Sequence, residues 1–164
     1  MHLDFNIRVS GGNLRGFRAG WRRNPVGKRE IQEMKKLKVT AAQMVKAARG
    51  RISEIDTGTL IGMVGDPEVV IVDIRDIRER RRSGFIPGSV HAPRGMVEFW
   101  VDPDSPYHKE VFAQDKTYVF HCASGWRSAL TVATLSDMGF KAAHLRDGFG
   151  DWVRHGGPVE MSQG

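Results

Sequence analysis

The sequence predicts an α/β domain, a short parallel β-sheet with helices on both faces. Three observations carry this. Val69-Val70-Ile71-Val72 is a continuous β-branched run, the pattern of a strand buried on both sides. Thr117-Tyr118-Val119-Phe120-His121 is a second run of that kind. Segments with helical spacing lie before and between the strands.

The elements follow in order. Thr40 is a good N-cap for Ala41–Arg49, with Gly50 just beyond. Asp56 or Thr57 caps a second helix expected through about Val64, stopped by Gly65-Asp66-Pro67. After the Val69 strand and Asp73-Ile74-Arg75, residues Arg78–Ser83 read as a charged, exposed helical turn. Gly84–Ser89 is a turn-rich loop leading to a short strand at Val90-His91. Met96–Val101 reads as a short helix and Asp102–Pro106 as a loop. The Thr117 strand ends in Cys122, and Ser128–Met138 follows with helical spacing before Gly139. Ala142–Leu145 is the last expected strand, and Gly148–His155 a loop and short helix.

The chain has 164 residues, about one domain, at 40% hydrophobic and 27% charged, which excludes a collagenous or wholly disordered chain. No run of about 18 apolar residues occurs, so no segment reads as a membrane-spanning helix. Residues 1–51 carry 13 Lys and Arg against three acids, so the net charge of +6 comes from this third of the chain. The expected organisation is a basic, disordered extension over 1–33, with Met34 as an alternative start. A helical region follows over 34–51, then the main domain over 52–158 and a frayed tail over 159–164. A basic arm addresses nucleic acid or anionic lipid electrostatically. Its sparse aromatics and its glycines at 11, 12, 16, 20 and 27 argue against both. The lone cysteine excludes an internal disulfide and, with no secretory leader pattern, is consistent with a cytoplasmic setting.

In open α/β sheets ligands bind beyond the carboxyl ends of the strands. Cys122 sits at such an end, five residues before Arg127. The N–H groups of a tight loop and the start of a helix favour thiolate over thiol and suit a bound anion. Gly125 permits a left-handed turn in that loop, Ser124 and Ser128 offer hydroxyls, and Arg127 offers a forked cation. The six histidines show no metal-ligand spacing and there is no phosphate-binding Gly-rich loop, so no metal is expected.

His121-Cys122-Ala123-Ser124-Gly125-Trp126-Arg127-Ser128 resembles the active-site loop of a rhodanese-homology domain. Asp73-Ile74-Arg75 followed by Gly84-Phe85-Ile86-Pro87-Gly88-Ser89 resembles the family's Asp-Val-Arg and Gly-His-Ile-Pro-Gly-Ala signature. Leu145–Trp152 resembles its Gly-Gly and Trp block, and together the three cover about 52–158. The resemblance implies a rhodanese-like fold and sulfurtransferase activity without a tightly bound cofactor. Cys122 would attack a sulfane sulfur, become a persulfide and pass sulfur to a thiol, an acceptor protein or cyanide. Residues Ala123, Ser124, Gly125, Trp126 and Arg127 would cradle the persulfide. Ala123 and Ser124 stand where thiosulfate-using members carry extra cations, which leaves a persulfide donor open.

Two other functions remain open. One is a non-enzymatic persulfide-binding or redox-sensing module. The other is a phosphatase or arsenate reductase on the same fold, which has five residues between Cys and Arg where this chain has four. Asp73 and Arg75 are expected to anchor a loop or reach the pocket rim, and Arg94 to approach the rim from another strand end. Arg75, Arg78 and Arg80–Arg82 read as a basic, solvated face able to dock an acidic partner.

Overall fold

The structure, a computed structural model, describes residues 27–29 and 37–161. The expected extension over 1–33 therefore lies outside the described residues except at 27–29, as do residues 34–36 and 162–164. The chain divides after Lys38, and the fold is that of Val39–Gly164.

Helix α1 (Ala41–Arg49) starts at Thr40, whose hydroxyl accepts from the Gln43 N–H at 3.2 Å while Gln43 Oε1 accepts from the Thr40 N–H at 2.8 Å. It buries Val45 and Ala48 against Ala129 and Ala133, a pairing of small residues that lets two helices approach closely. Strand β1 (Ser53–Ile55) was not foreseen, because its first two residues, Ser53 and Glu54, are polar and the run is only three residues long. Helix α2 (Thr57–Ile61) is capped by Asp56 and ends at Ile61, short of Val64, because Gly62 closes it. Strand β2 (Val69–Asp73), helix α3 (Ile77–Ser83) and strand β3 (Val90–His91) follow. A 3₁₀ turn (Arg94–Met96) leads into α4 (Val97–Val101). Strand β4 (Thr117–His121), helix α5 (Trp126–Asp137), strand β5 (Ala143–Leu145) and helix α6 (Gly148–Arg154) complete the order. Helix α5 starts two residues earlier than the expected Ser128, because the left-handed Gly125 turns the chain into it at once.

The sheet is wholly parallel, in the order β1-β5-β4-β2-β3, with helices on both sides. Strands β2 and β4 pair from Val69↔Thr117 to Asp73↔His121, which brings their carboxyl ends level. On one face Val70, Val72, Tyr118, Phe120 and Cys122 pack under Val132 and Leu135 of α5 and Val97 and Val101 of α4. On the other, Ile71, Val119 and Leu145 pack under Leu60 of α2 and Phe149 and Trp152 of α6. Each large apolar side chain fully buried this way contributes roughly 1.5–3 kcal/mol before entropy is counted.

Beyond β2 lies a buried ionic cluster. Arg75 donates to Asp73 at 2.7–3.2 Å, to Ser83 Oγ at 3.0 Å and to the Gly84 carbonyl at 2.8 Å. Arg80 donates to Asp73 at 3.3 Å and to the side chain and carbonyl of Ser89, both at 3.1 Å. The two guanidinium groups stack on Phe149 and Phe85 at 3.9 and 4.0 Å. The expected basic face is thus corrected. Arg75 and Arg80 are interior, Arg78 is paired with Asp76, and Arg81 and Arg82 remain exposed. The period of the helix, invisible in a run of three arginines, turns Arg80 inward.

The tail is also more ordered than expected. The Trp152 indole donates to the Pro158 carbonyl at 2.9 Å, and Phe85 and Glu160 exchange two backbone hydrogen bonds of 2.9 Å. Residues 159–160 are therefore held to the domain rather than frayed.

Replacing Asp73 with Asn leaves two buried guanidinium groups facing no carboxylate. The expected cost is about 3–5 kcal/mol in urea unfolding. Arg81→Ala on the same helix should leave the midpoint unchanged. Equal midpoints for Asp73→Asn and wild type would contradict the ionic cluster as a structural anchor.

Candidate active site

Cys122 follows the last residue of β4 and is fully buried. Ala123-Ser124-Gly125 turn the chain into α5, and two glycines permit that turn. Gly125 has φ +80°, and a Cβ there would collide with the Arg146 carbonyl. Gly148 has φ +71°, and its Cβ would lie 2.7 Å from the Ala123 carbonyl carbon. With no side chain at 148, α6 approaches the loop. The Phe149 N–H donates to the Cys122 carbonyl at 2.8 Å and the Gly150 N–H to the Ala123 carbonyl at 3.0 Å. The Cys122 and Ala123 carbonyls are thereby occupied. By contrast, the N–H groups from Ala123 to Ser128 meet no acceptor among the described residues. Such a run of free donors beside a thiol suits a negatively charged sulfur or oxygen.

A polar chain runs from the sulfur through the sheet. Cys122 Sγ lies 3.6 Å from Ser128 Oγ, which lies 3.2 Å from His144 Nδ1. His144 Nε2 lies 2.8 Å from Glu54 Oε1. Sequence reasoning missed His144 and Glu54. Neither has a motif, and they meet because β1 and β5 pair with Glu54 directly opposite His144.

The structure places the expected site residues in different settings. Arg127 turns its fork to Glu79, with hydrogen bonds of 2.7 and 2.8 Å. That pairing, and more weakly the neighbouring Cys122, hold its guanidinium more firmly protonated than usual. Glu79 also accepts from the Asp76 N–H, so the cap of α3 positions the partner of Arg127. Ser124 and Trp126 are exposed and Ala123 is half-buried. Asp73 and Arg75 are buried against each other and the 83–84 turn. Arg94 lies exposed on the 3₁₀ turn.

His121 is fully buried, its ring stacked on Phe149 and both ring nitrogens without a hydrogen-bond partner. Burial pushes its pKa down to about 4, and Asp73, with the closest oxygen 3.8 Å away, only partly opposes this. Asp73 is itself desolvated, which raises its pKa, but Arg75 and His121 outweigh this and hold the carboxyl below the usual range. The imidazole is therefore neutral at pH 7. A cleft of about 520 Å³, lined by Arg51, Lys116, Tyr118, Phe140 and Lys141, opens at the opposite, amino-terminal edge of the sheet.

A family model described as rhodanese-like domain matches residues 56–155. A sulfurtransferase of Allochromatium vinosum is 31% identical over 115 residues, covering 69% of this chain and 99% of its own. Among solved structures, a Rhodopseudomonas palustris protein of unknown function, described as a possible tyrosine phosphatase, is 48% identical. Its TM-score is 0.74, over 76% of this chain and 97% of that one. A rhodanese-like domain protein from Staphylococcus aureus is 27% identical with a TM-score of 0.54, over 68% of this chain and 100% of that one.

Because folded His121 refuses a proton that the unfolded chain accepts, stability should fall as pH drops from about 6.5 to about 4. The expected loss is about 3 kcal/mol. His144, whose pKa burial also lowers, adds in the same direction. His121→Leu should flatten this slope relative to wild type in urea unfolding at a series of pH values. Parallel slopes in the two proteins would contradict a neutral buried His121.

Proposed function

Since the chain belongs to the rhodanese-like domain family, whose relatives include sulfurtransferases, we propose that it transfers sulfane sulfur through a persulfide on Cys122. The observation that carries this reading is the run of N–H groups from Ala123 to Ser128 that directly follows the one cysteine and meets no acceptor among the described residues. The Cys122 thiolate attacks the outer sulfur of the donor, and an S–S bond forms. The donor's own S–S bond breaks, and its electron pair leaves with sulfite or a thiolate. The new terminal sulfur carries the negative charge, and the amides of Ala123, Ser124, Gly125, Trp126 and Arg127 hold it. A thiol acceptor, small or borne by a protein, then attacks that sulfur and Cys122 leaves as thiolate.

Charge argues for the donor. Glu79 neutralises Arg127, and loop positions 123 and 124 are Ala and Ser. That loop suits a singly charged persulfide better than the thiosulfate dianion. Asp73 holds Arg75 and Arg80, which fix Ser83, Gly84 and Ser89, and Arg94 is an exposed cation that could serve the pocket rim. A single thiol that works in its reduced state fits the cytoplasm.

The description of the Rhodopseudomonas palustris protein favours a second reading, hydrolysis of an aryl phosphate. Four residues between Cys122 and Arg127, and an arginine whose fork is taken, argue against a loop sized for a tetrahedral dianion.

Brief exposure to a small persulfide should add one sulfur, about 32 Da, to wild type and none to Cys122→Ser. Cyanide should remove it as thiocyanate. Absence of that mass with both persulfide and thiosulfate, together with release of phosphate from an aryl phosphate, would establish the second reading instead. A loaded protein without steady-state turnover would mark a persulfide-binding module. Glu79→Gln, by freeing Arg127, should lower the KM for thiosulfate several-fold and leave that for a persulfide nearly unchanged.

A further inference from the structure

We propose that Ser128 and His144 form a proton relay that takes the proton from Cys122, with Glu54 as the carboxylate that orients it. The chain of contacts is continuous, at 3.6, 3.2 and 2.8 Å, and crosses three elements. Cys122, Ser128 and His144 are fully buried, while the Glu54 side chain is 25% exposed. The chain therefore joins an interior thiol to a group in contact with water.

The hydrogens can be assigned in one way when the imidazole is neutral. The Glu54 carboxylate only accepts, so His144 Nε2 carries the proton and Nδ1 is an acceptor. The Ser128 hydroxyl must then donate to Nδ1, which leaves its lone pairs for the Cys122 S–H. Every donor points away from the sulfur and along the chain towards the Glu54 carboxylate. Shape alone does not require these residues. The partner of His144 on β4 is the apolar Phe120, and a leucine at 144 would continue the apolar face without a polar chain to satisfy.

The charged groups facing His144 are few. Glu54 lies opposite on β1, Arg49 on α1 reaches Glu54 at 3.6 Å, and Asp147 follows β5. Burial lowers the His144 pKa, and Glu54 and Asp147 oppose this while Arg49 adds to it. The imidazole is thus unprotonated at neutral pH and open to a proton. At the other end the Arg127–Glu79 pair adjoins the sulfur.

The step balances without an oxidant. Cys122 gives its proton to Ser128 Oγ as the Ser128 hydroxyl proton passes to His144 Nδ1, which produces a thiolate and an imidazolium. The negative sulfur and the positive ring then stabilise each other across the Ser128 hydroxyl. When the acceptor takes the outer sulfur, Cys122 leaves as thiolate and recovers the proton along the same path. Ser128 touches the reacting atom. His144 and Glu54 act through it, as positioning residues.

This assignment rests on Cys122 as the nucleophile, but its test needs no sulfur donor. With a single cysteine in the sequence, thiolate absorbance near about 240 nm can be titrated from pH 5 to 10 against Cys122→Ser as blank. In His144→Gln and in Ser128→Ala the thiolate signal should appear about one pH unit higher, a tenfold loss of thiolate at a given pH. Glu54→Gln, at the water-exposed end, should give a smaller shift in the same direction and decides the matter if the buried variants do not fold. Titrations of folded Glu54→Gln and His144→Gln that overlay wild type would overturn the relay, whatever the sulfur-loading result. Shifted titrations in a protein that loads no sulfur would uphold the relay and overturn sulfur transfer.

Discussion

The carboxylate of Asp73 is the constraint on which the rest of the domain depends. It is completely buried and ends the strand that pairs with β4. It holds two guanidinium groups, and through them Ser83, Gly84 and Ser89, so one charge fixes the path of the chain between α3 and β3. Arg75 also stacks on Phe149, whose backbone N–H holds the Cys122 carbonyl. The conformation of the cysteine loop is thus linked to a carboxylate 49 positions earlier in the sequence. A buried ionic group is a weak source of net stability and a strong penalty on misplacement. Specifying one arrangement of loops is what this site requires.

The loop resolves charge in an unusual balance. Its forked cation is neutralised by a glutamate that also caps the neighbouring helix. What remains for a bound anion is a set of amide dipoles, which are fixed in direction and carry no net charge. On the proposed reading, such a site would discriminate by size and by single against double charge more than by attraction at a distance. His121, neutral beside the cluster, keeps a further positive charge out of the interior.

Much of this was legible in the sequence and some was not, for physical reasons. Strands β2 and β4 were plain because both of their faces are buried, which forces continuous apolar runs. The cysteine loop was plain because small residues and an arginine follow a strand end. Strand β1 was hidden because an edge strand with one partner tolerates Ser53 and Glu54. The inward turn of Arg80 depends on an acceptor seven residues away in sequence, which composition cannot reveal. Glu54 and His144 are 90 residues apart, and only the pairing of β1 with β5 joins them. The tail reads as Gly-rich and polar, yet it is held by backbone groups, which leave no mark on side-chain pattern.

The solitary thiol has a consequence for what a loaded protein reports. No second cysteine exists within these 164 residues, so a sulfur carried on Cys122, as proposed, could not be discharged by closing a disulfide within them. Its only exit is to another molecule. The fraction of protein carrying sulfur therefore settles where delivery and withdrawal by outside molecules are equal. On the proposed transfer of sulfur through Cys122, the occupancy of this one atom would gauge the supply of mobile sulfur relative to demand.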